Sequence, residues 1–176
     1  MSDLPFELDH LTHFIVTAKR HTYAGDGRPA PSSRPSSVDL IYERDDWRYH
    51  DSYFGTRDFM GHEVVYWRNR AVWGMIYYGR VLEPVPLGDL WPFLKRALQA
   101  TYSESRFLGP SVYSEVGWRY EDVNQGTTAF FEGQEEIRHH GVRVYRLTYT
   151  GAVSYTHLRA HETPEHLVCR LLLEKK

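Results

Sequence analysis

The sequence predicts an α+β domain made of two tandem repeats, each one helix followed by about four antiparallel strands, related by a pseudo-twofold and sharing one core. Three observations predict it. Two stretches carry apolar residues at helical spacing, and each precedes a stretch that alternates like half-buried strands. Turn-forming residues punctuate both alternating stretches. The run Trp47-Arg48-Tyr49-x-Asp51 also returns as Trp118-Arg119-Tyr120-x-Asp122.

Residues 6–20 form the first expected helix, with Leu8, Leu11, Ile15 and Ala18 on one stripe and Phe14 beside it. Lys19, Arg20 and His21 suit its negative C-terminal end. Residues 22–37 are loop chemistry, rich in Pro, Gly and Ser, and long enough to be expected over a functional surface. Val38–Glu43 and Trp47–Phe54 then read as one hairpin, and Phe59–Trp67 and Ala71–Val81 as another, turning at residues 68–70. Pro84 and Pro86 break the pattern. Asp89 is expected to cap a second helix running to about Thr101, with Pro92 tolerated in its first turn. Its stripe is Leu90, Leu94, Ala97 and Leu98. After a loop at 102–110, strands are expected at about 111–115, 117–123, 129–138 and 142–150, with turns at 124–126 and 139–141.

The repeats, at about 6–83 and 86–152, share twelve identities over about thirty-five positions, where composition alone gives about two. Phe59, Gly61 and Glu63 match Phe131, Gly133 and Glu135, while Val72, Tyr77 and Gly79 match Val144, Tyr149 and Gly151. The match assigns faces. Glu132, Gln134, Glu136 and Arg138 are all polar, so Phe131, Glu135 and Ile137 face the core. By correspondence Phe59, Glu63 and Val65 face inward, together with Trp47, Tyr49, Asp51 and Tyr53, and with Trp73, Met75 and Tyr77. Each repeat of about 65–75 residues is marginal alone, so one continuous core is expected.

A carboxylate facing an aromatic layer is costly unless it is paired, hydrogen-bonded or wet. Hydroxyls of Tyr49, Tyr53, Tyr77 and Tyr78 are the nearest donors. One outcome is a closed network of acids and tyrosines. The other is an aromatic pocket with a carboxylate floor, suited to a cationic, sugar-like or amine-bearing ligand. The candidate ligand-binding residues are Asp51, Glu63, Tyr49, Tyr53, Trp73 and Tyr77. Arg34, in the long loop, joins them as a candidate anion clamp, or else pairs with Asp39 and anchors the loop.

Lys and Arg number 21 against 23 Asp and Glu, and the pI is near 6.5, which argues against a surface that coats nucleic acid. No apolar run is long enough to span a membrane and no signal-like segment opens the chain, so a cytoplasmic location is expected. There is no P-loop, dinucleotide glycine pattern, HExxH or nucleophile elbow, so no cofactor and no metal are expected. His10 and His13 share a helix face but read as exposed surface. The sequence sets no oligomeric state. It leaves three readings: a small-molecule-binding domain, a small hydrolase-like enzyme using Asp51 and Glu63 as acid and base, or a protein-interaction domain.

The segments SSRPSSVDLIY, DSYFG, FMGHEVV, VWGMIYYGRV, FLGP and FFEGQEEI resemble a bacterial domain family of unknown function, over about Thr22 to Gly151. Members of that family occur alone or behind an N-terminal helix-turn-helix of the xenobiotic-response-element type. The resemblance implies ligand sensing for a DNA-binding head in the fused members and brings no catalytic residues. Here Met1 lies only a few residues before the first helix, so no direct nucleic-acid binding by that route is expected.

Residues 153–176 are of another kind. VSYTHLRAHET resembles one reading frame of a transposase-type sequencing adapter, and LVCRLLLEKK the downstream flow-cell adapter in the same frame. They are expected to be non-native and poorly packed. The metal-like set His157, His161, Glu162 and His166 is therefore set aside, and with it Cys169, the chain's single cysteine.

Overall fold

The computed structural model describes residues 5–103, 106–109 and 111–154. His157, His161, Glu162, His166 and Cys169 lie outside the described residues. In chain order the elements are α1 (Leu8–His21), β1 (Val38–Arg44), β2 (Trp47–Gly55), β3 (Asp58–Trp67), β4 (Arg70–Val81), α2 (Leu87–Ser103), β5 (Ser111–Glu115), β6 (Trp118–Thr127), β7 (Phe130–His139) and β8 (Val142–Val153). The strands form one antiparallel sheet of eight, in the order β1-β2-β3-β4-β8-β7-β6-β5. The mixture of two helices and an antiparallel sheet is the α+β class that periodicity predicts.

Turn chemistry sets the hairpins. Arg68 and Asn69 both have positive φ, as do His140 and Gly141, the backbone that a two-residue hairpin needs to follow the right-handed strand twist. Two expectations need correction. The turn expected at 124–126 is strand, because Gly126 pairs with Phe131 and Thr127 with Phe130, carrying the ladder two residues further. Asp89 does not cap α2. The helix starts at Leu87, and the Pro86 carbonyl accepts the Asp89 and Leu90 N–H groups at 3.1 Å each. Asp89 instead sits in the first turn, where its charge suits the positive helix end. Pro92 is consequently the sixth helical residue, past the first turn.

Both helices pack on one face of the sheet. α1 lies over β1 and β2, α2 lies over β5 and β6, and the helices touch each other. Apolar periodicity explains this: Leu11, Phe14, Ile15 and Ala18 are buried on α1, and Leu90, Phe93, Leu94 and Ala97 on α2. Aromatic rings fill the outer halves. Phe14 lies 5.4 Å from Trp47, and Phe93 stacks on Trp118 at 5.3 Å. Among the described residues no helix covers the opposite sheet face, which exposes Met60, Ile76, Tyr78 and Val123. Tyr78 therefore cannot serve the inward acids as a donor, because strand alternation turns it away from them. His10 and His13 are exposed.

The long loop does two jobs. Thr22, Tyr23 and Ala24 stay on the helix side. Ala30 then bridges to Asp39 at the β1 edge, and residues 33–37 reach the other face. There the fully buried Asp39 accepts hydrogen bonds from Ser33, Ser37 and His50. Burial pushes its pKa up, but these donors outweigh burial and hold it well below the usual carboxylate range. Among the described residues no helix is long and apolar enough to cross a membrane. At the far end, Val153 completes β8 and pairs with Trp73, while the Ser154 N–H donates to the Val72 carbonyl at 2.9 Å. The ladder thus runs one residue past the domain end expected at 152.

Candidate functional site

Where the helices leave the central strands uncovered, a cavity of about 350 Å³ remains. Its floor is the inward face of β2, β3, β4, β6, β7 and β8. Tyr49, Asp51 and Tyr53 come from β2, Glu63 from β3, Tyr77 from β4, Tyr120 and Asp122 from β6, Glu135 from β7, and Tyr145 and Tyr149 from β8. The roof is Lys19 from the end of α1, Tyr23 just after it, Trp91, Lys95, Leu98 and Tyr102 from α2, and Phe107.

Cross-strand register brings the acids together. Asp51 lies opposite Glu63, and Asp122 opposite Glu135. The Tyr77 hydroxyl donates to Asp51 at 2.7 Å, and the Tyr149 hydroxyl to Asp122 at 2.9 Å. Asn124 Nδ2 also donates to Asp122, at 2.9 Å. Glycines make these tyrosine contacts fit. Gly61 lies opposite Tyr77 and Gly133 opposite Tyr149, and a Cβ on either would stand within 2.5 Å of the tyrosine. Gly61→Ala is therefore expected to push Tyr77 off Asp51 and destabilise the chain by about 1–3 kcal/mol. Urea denaturation checks this, and an unchanged midpoint would show that the ring has room to move.

Glu63 is held differently. Lys19 Nζ donates to its two oxygens at 2.6 and 2.5 Å, and both side chains are more than nine-tenths buried. Glu135 has no such partner. Tyr145 donates to it at 3.4 Å and Tyr120 adds a hydrogen bond. It makes no salt bridge among the described residues.

Burial raises the other three acids. Asp51 rises to about 7, from burial and then from the neighbouring Glu63 charge. Asp122 rises to about 6 through burial, against the hydrogen bonds of Tyr149 and Asn124. Glu135 rises to about 8, from burial and then from Asp122. Lys19 restrains each of the three through its charge. The site is an aromatic chamber in which burial raises three of the four acids toward neutrality.

Five of the seven candidate residues meet here: Asp51, Glu63, Tyr49, Tyr53 and Tyr77. Trp73 and Arg34 do not. Trp73 faces inward but is sealed by Phe131 and Phe107, stacked and edge-on at 5.7 and 5.9 Å. Its Nε1 is the one buried side-chain nitrogen or oxygen without a partner among the described residues. Arg34 sits on the opposite face, where it donates to the Ser52 hydroxyl at 2.7 Å and lies over the Phe54 ring. It neither pairs with Asp39 nor approaches the chamber, because Ser33, Ser37 and His50 already satisfy that acid. Of the long loop, only Thr22 to Ala24 line the chamber, so the loop as a whole does not cover it.

Lys19 is the functional residue that sequence reading missed. Its place after Ala18 at the helix end reads as dipole compensation. The signal lies in the two helices themselves: Leu11, Phe14, Ala18, Thr22 and Tyr23 repeat as Leu90, Phe93, Ala97, Thr101 and Tyr102. That spacing sets Lys19 against Leu98, a core position. No group of three or more His, Cys, Asp or Glu side chains is arranged to hold a metal among the described residues. Residues 51–153 match the family described as Domain of unknown function (DUF5680), which is more than half of the chain. No curated protein and no solved structure matches.

Proposed function

We propose that this chain, which belongs to the DUF5680 family, is a small-molecule-binding domain that holds its ligand in the chamber between helices and sheet. One observation carries the reading: four inward acids and an aromatic wall enclose about 350 Å³ of space, where a purely structural network would have closed on itself. That volume is within the range of ligand pockets, and convergent polar groups on an apolar lining are their usual make-up. The acid–base alternative fares worse, since both Glu63 oxygens are engaged by Lys19 and are not free to shuttle a proton.

The chamber belongs to a duplicated unit. Tyr77 pairs directly with Tyr149 across β4 and β8, and Trp73↔Val153 and Val81↔Tyr145 flank that pair symmetrically. The register also shifts at matching places, Val65/Tyr66 and Ile137/Arg138. A pseudo-twofold through Tyr77 and Tyr149 accounts for both. In the bacterial cytoplasm the domain would act as a ligand sensor, reporting to a DNA-binding head in relatives that carry one. The tail expected from 153 would be adapter-derived sequence, although Val153 itself still pairs with Trp73, and genomic codons continuing through it would refute that.

Native mass spectrometry of the full chain tests the binding reading. The expected result is excess mass released on denaturation, and lost when Asp51→Asn and Asp122→Asn are combined. A bare chain whose melting temperature no metabolite fraction shifts would overturn it.

A further inference from the structure

Both halves of the chamber place a glutamate at the same point, but what meets it differs. Glu63 on β3 and Glu135 on β7 occupy the same register position, each opposite an aspartate on one side. On the other side they face Met75 and Leu147. Above them, Lys19 of α1 and Leu98 of α2 occupy the same helical position, as the flanking repeat of Leu, Phe, Ala, Thr and Tyr shows. Both line the chamber. In the first half the acid holds a built-in ammonium group at 2.5 Å. In the second half the acid is present and, among the described residues, the ammonium group is not.

We propose that the ligand carries an ammonium group that pairs with the Glu135 carboxylate beside Leu98, as the Lys19 ammonium pairs with Glu63. This rests on the chamber being a ligand site. Two independent features support it: a half-open space that reaches Glu135, and a matching acid that accepts an ammonium group. The surroundings suit a cation. Tyr102, Tyr120 and Tyr145 line the chamber with Glu135, and aromatic faces attract ammonium groups. Among the described residues no Lys or Arg forms a salt bridge with Glu135, and the Arg106 charge acts on Asp122. Lys19 is committed to Glu63, and Lys95 lies over the Tyr23 ring at 5.4 Å, with no ion pair to Glu135. Asp51 and Asp122 face the same space, held by Tyr77 and Tyr149.

Proton balance follows. Glu135, raised to about 8 by burial, carries a proton in the empty chamber at neutral pH. An arriving ammonium ion displaces that proton to solvent, so amine affinity increases with pH until the amine itself deprotonates.

The experiment is calorimetric titration of the full chain with 2-phenylethylamine and butane-1,4-diamine, each beside its uncharged alcohol counterpart. At about pH 8.5 at least one amine is expected to bind about tenfold or more tightly than its alcohol. Its affinity should fall as pH is lowered to about 6.5. Glu135→Gln, which keeps the shape, should remove that preference. Leu98→Lys should remove it too, since the new ammonium group fills the position from within. The melting temperature of each variant shows that it folds, and Glu135→Gln keeps the test decisive if Leu98→Lys does not.

Amine and alcohol binding alike, or an amine preference indifferent to both variants, would overturn this inference and leave the chamber a ligand site. If none of the four compounds binds, the mass retained by the purified chain decides. A retained basic amine supports the proposal, and a retained molecule without a basic nitrogen overturns it. A bare chain ends both readings.

Discussion

Lys19→Met is expected to destabilise the chain by about 3–5 kcal/mol, the usual effect of removing one member of a buried ion pair. The pair is more than nine-tenths buried on both sides, so solvent screens it little. The loss comes mainly from Glu63, left charged among Tyr49, Tyr102 and Met75. Urea denaturation of both chains measures the loss. The double change Lys19→Met with Glu63→Leu should recover most of the stability, because no charge then stays buried. A single-variant loss under about 1 kcal/mol would mean that water reaches the pair.

Stability should fall as pH rises from about 5 to 8.5, the reverse of what paired surface acids produce. Asp51, Asp122 and Glu135 have folded-state pKa values raised to about 7, 6 and 8. Between the usual carboxylate range and those values the folded chain binds protons that the unfolded chain releases. The stabilisation is complete below the unfolded values and disappears as pH rises through the folded ones. Each unit of raised pKa corresponds to about 1.4 kcal/mol, so a loss of several kcal/mol is expected across the window. On the acid side the order reverses. Asp39 and Glu115 have lowered values, held down by hydrogen bonds from Ser33, Ser37 and His50 and from Arg96 and Tyr113. What they contribute is lost below about pH 4. The melting temperature should therefore peak near pH 5, and Glu135→Gln should flatten the alkaline limb. A melting temperature that climbs steadily to pH 8 would contradict the burial of these acids.

Much of this arrangement is legible in the chain. The two-residue period of Trp47, Tyr49, Asp51 and Tyr53 sets the inward face of β2, and all four residues point there. The repeat then carries the inward assignment to Asp122 and Glu135. What sequence could not supply is depth across the sheet. Trp73 shares the period of Tyr77, yet Phe107, which is distant in the chain, closes over it. Arg34 sits in a loop whose path depends on where Asp39 needs donors. Lys19 looks like a helix-end charge until its position is compared with Leu98. Each miss involves a contact between elements far apart in sequence, which local periodicity does not encode.

The difference between Lys19 and Leu98 has a directional consequence. A chamber with two like walls would admit a two-ended molecule either way round, with no preference for head or tail. A fixed positive charge at one wall repels a cationic end there and leaves Glu135 at the other wall to receive it. The chamber is thus polarised along the line joining the two glutamates, and its occupant would lie in one orientation.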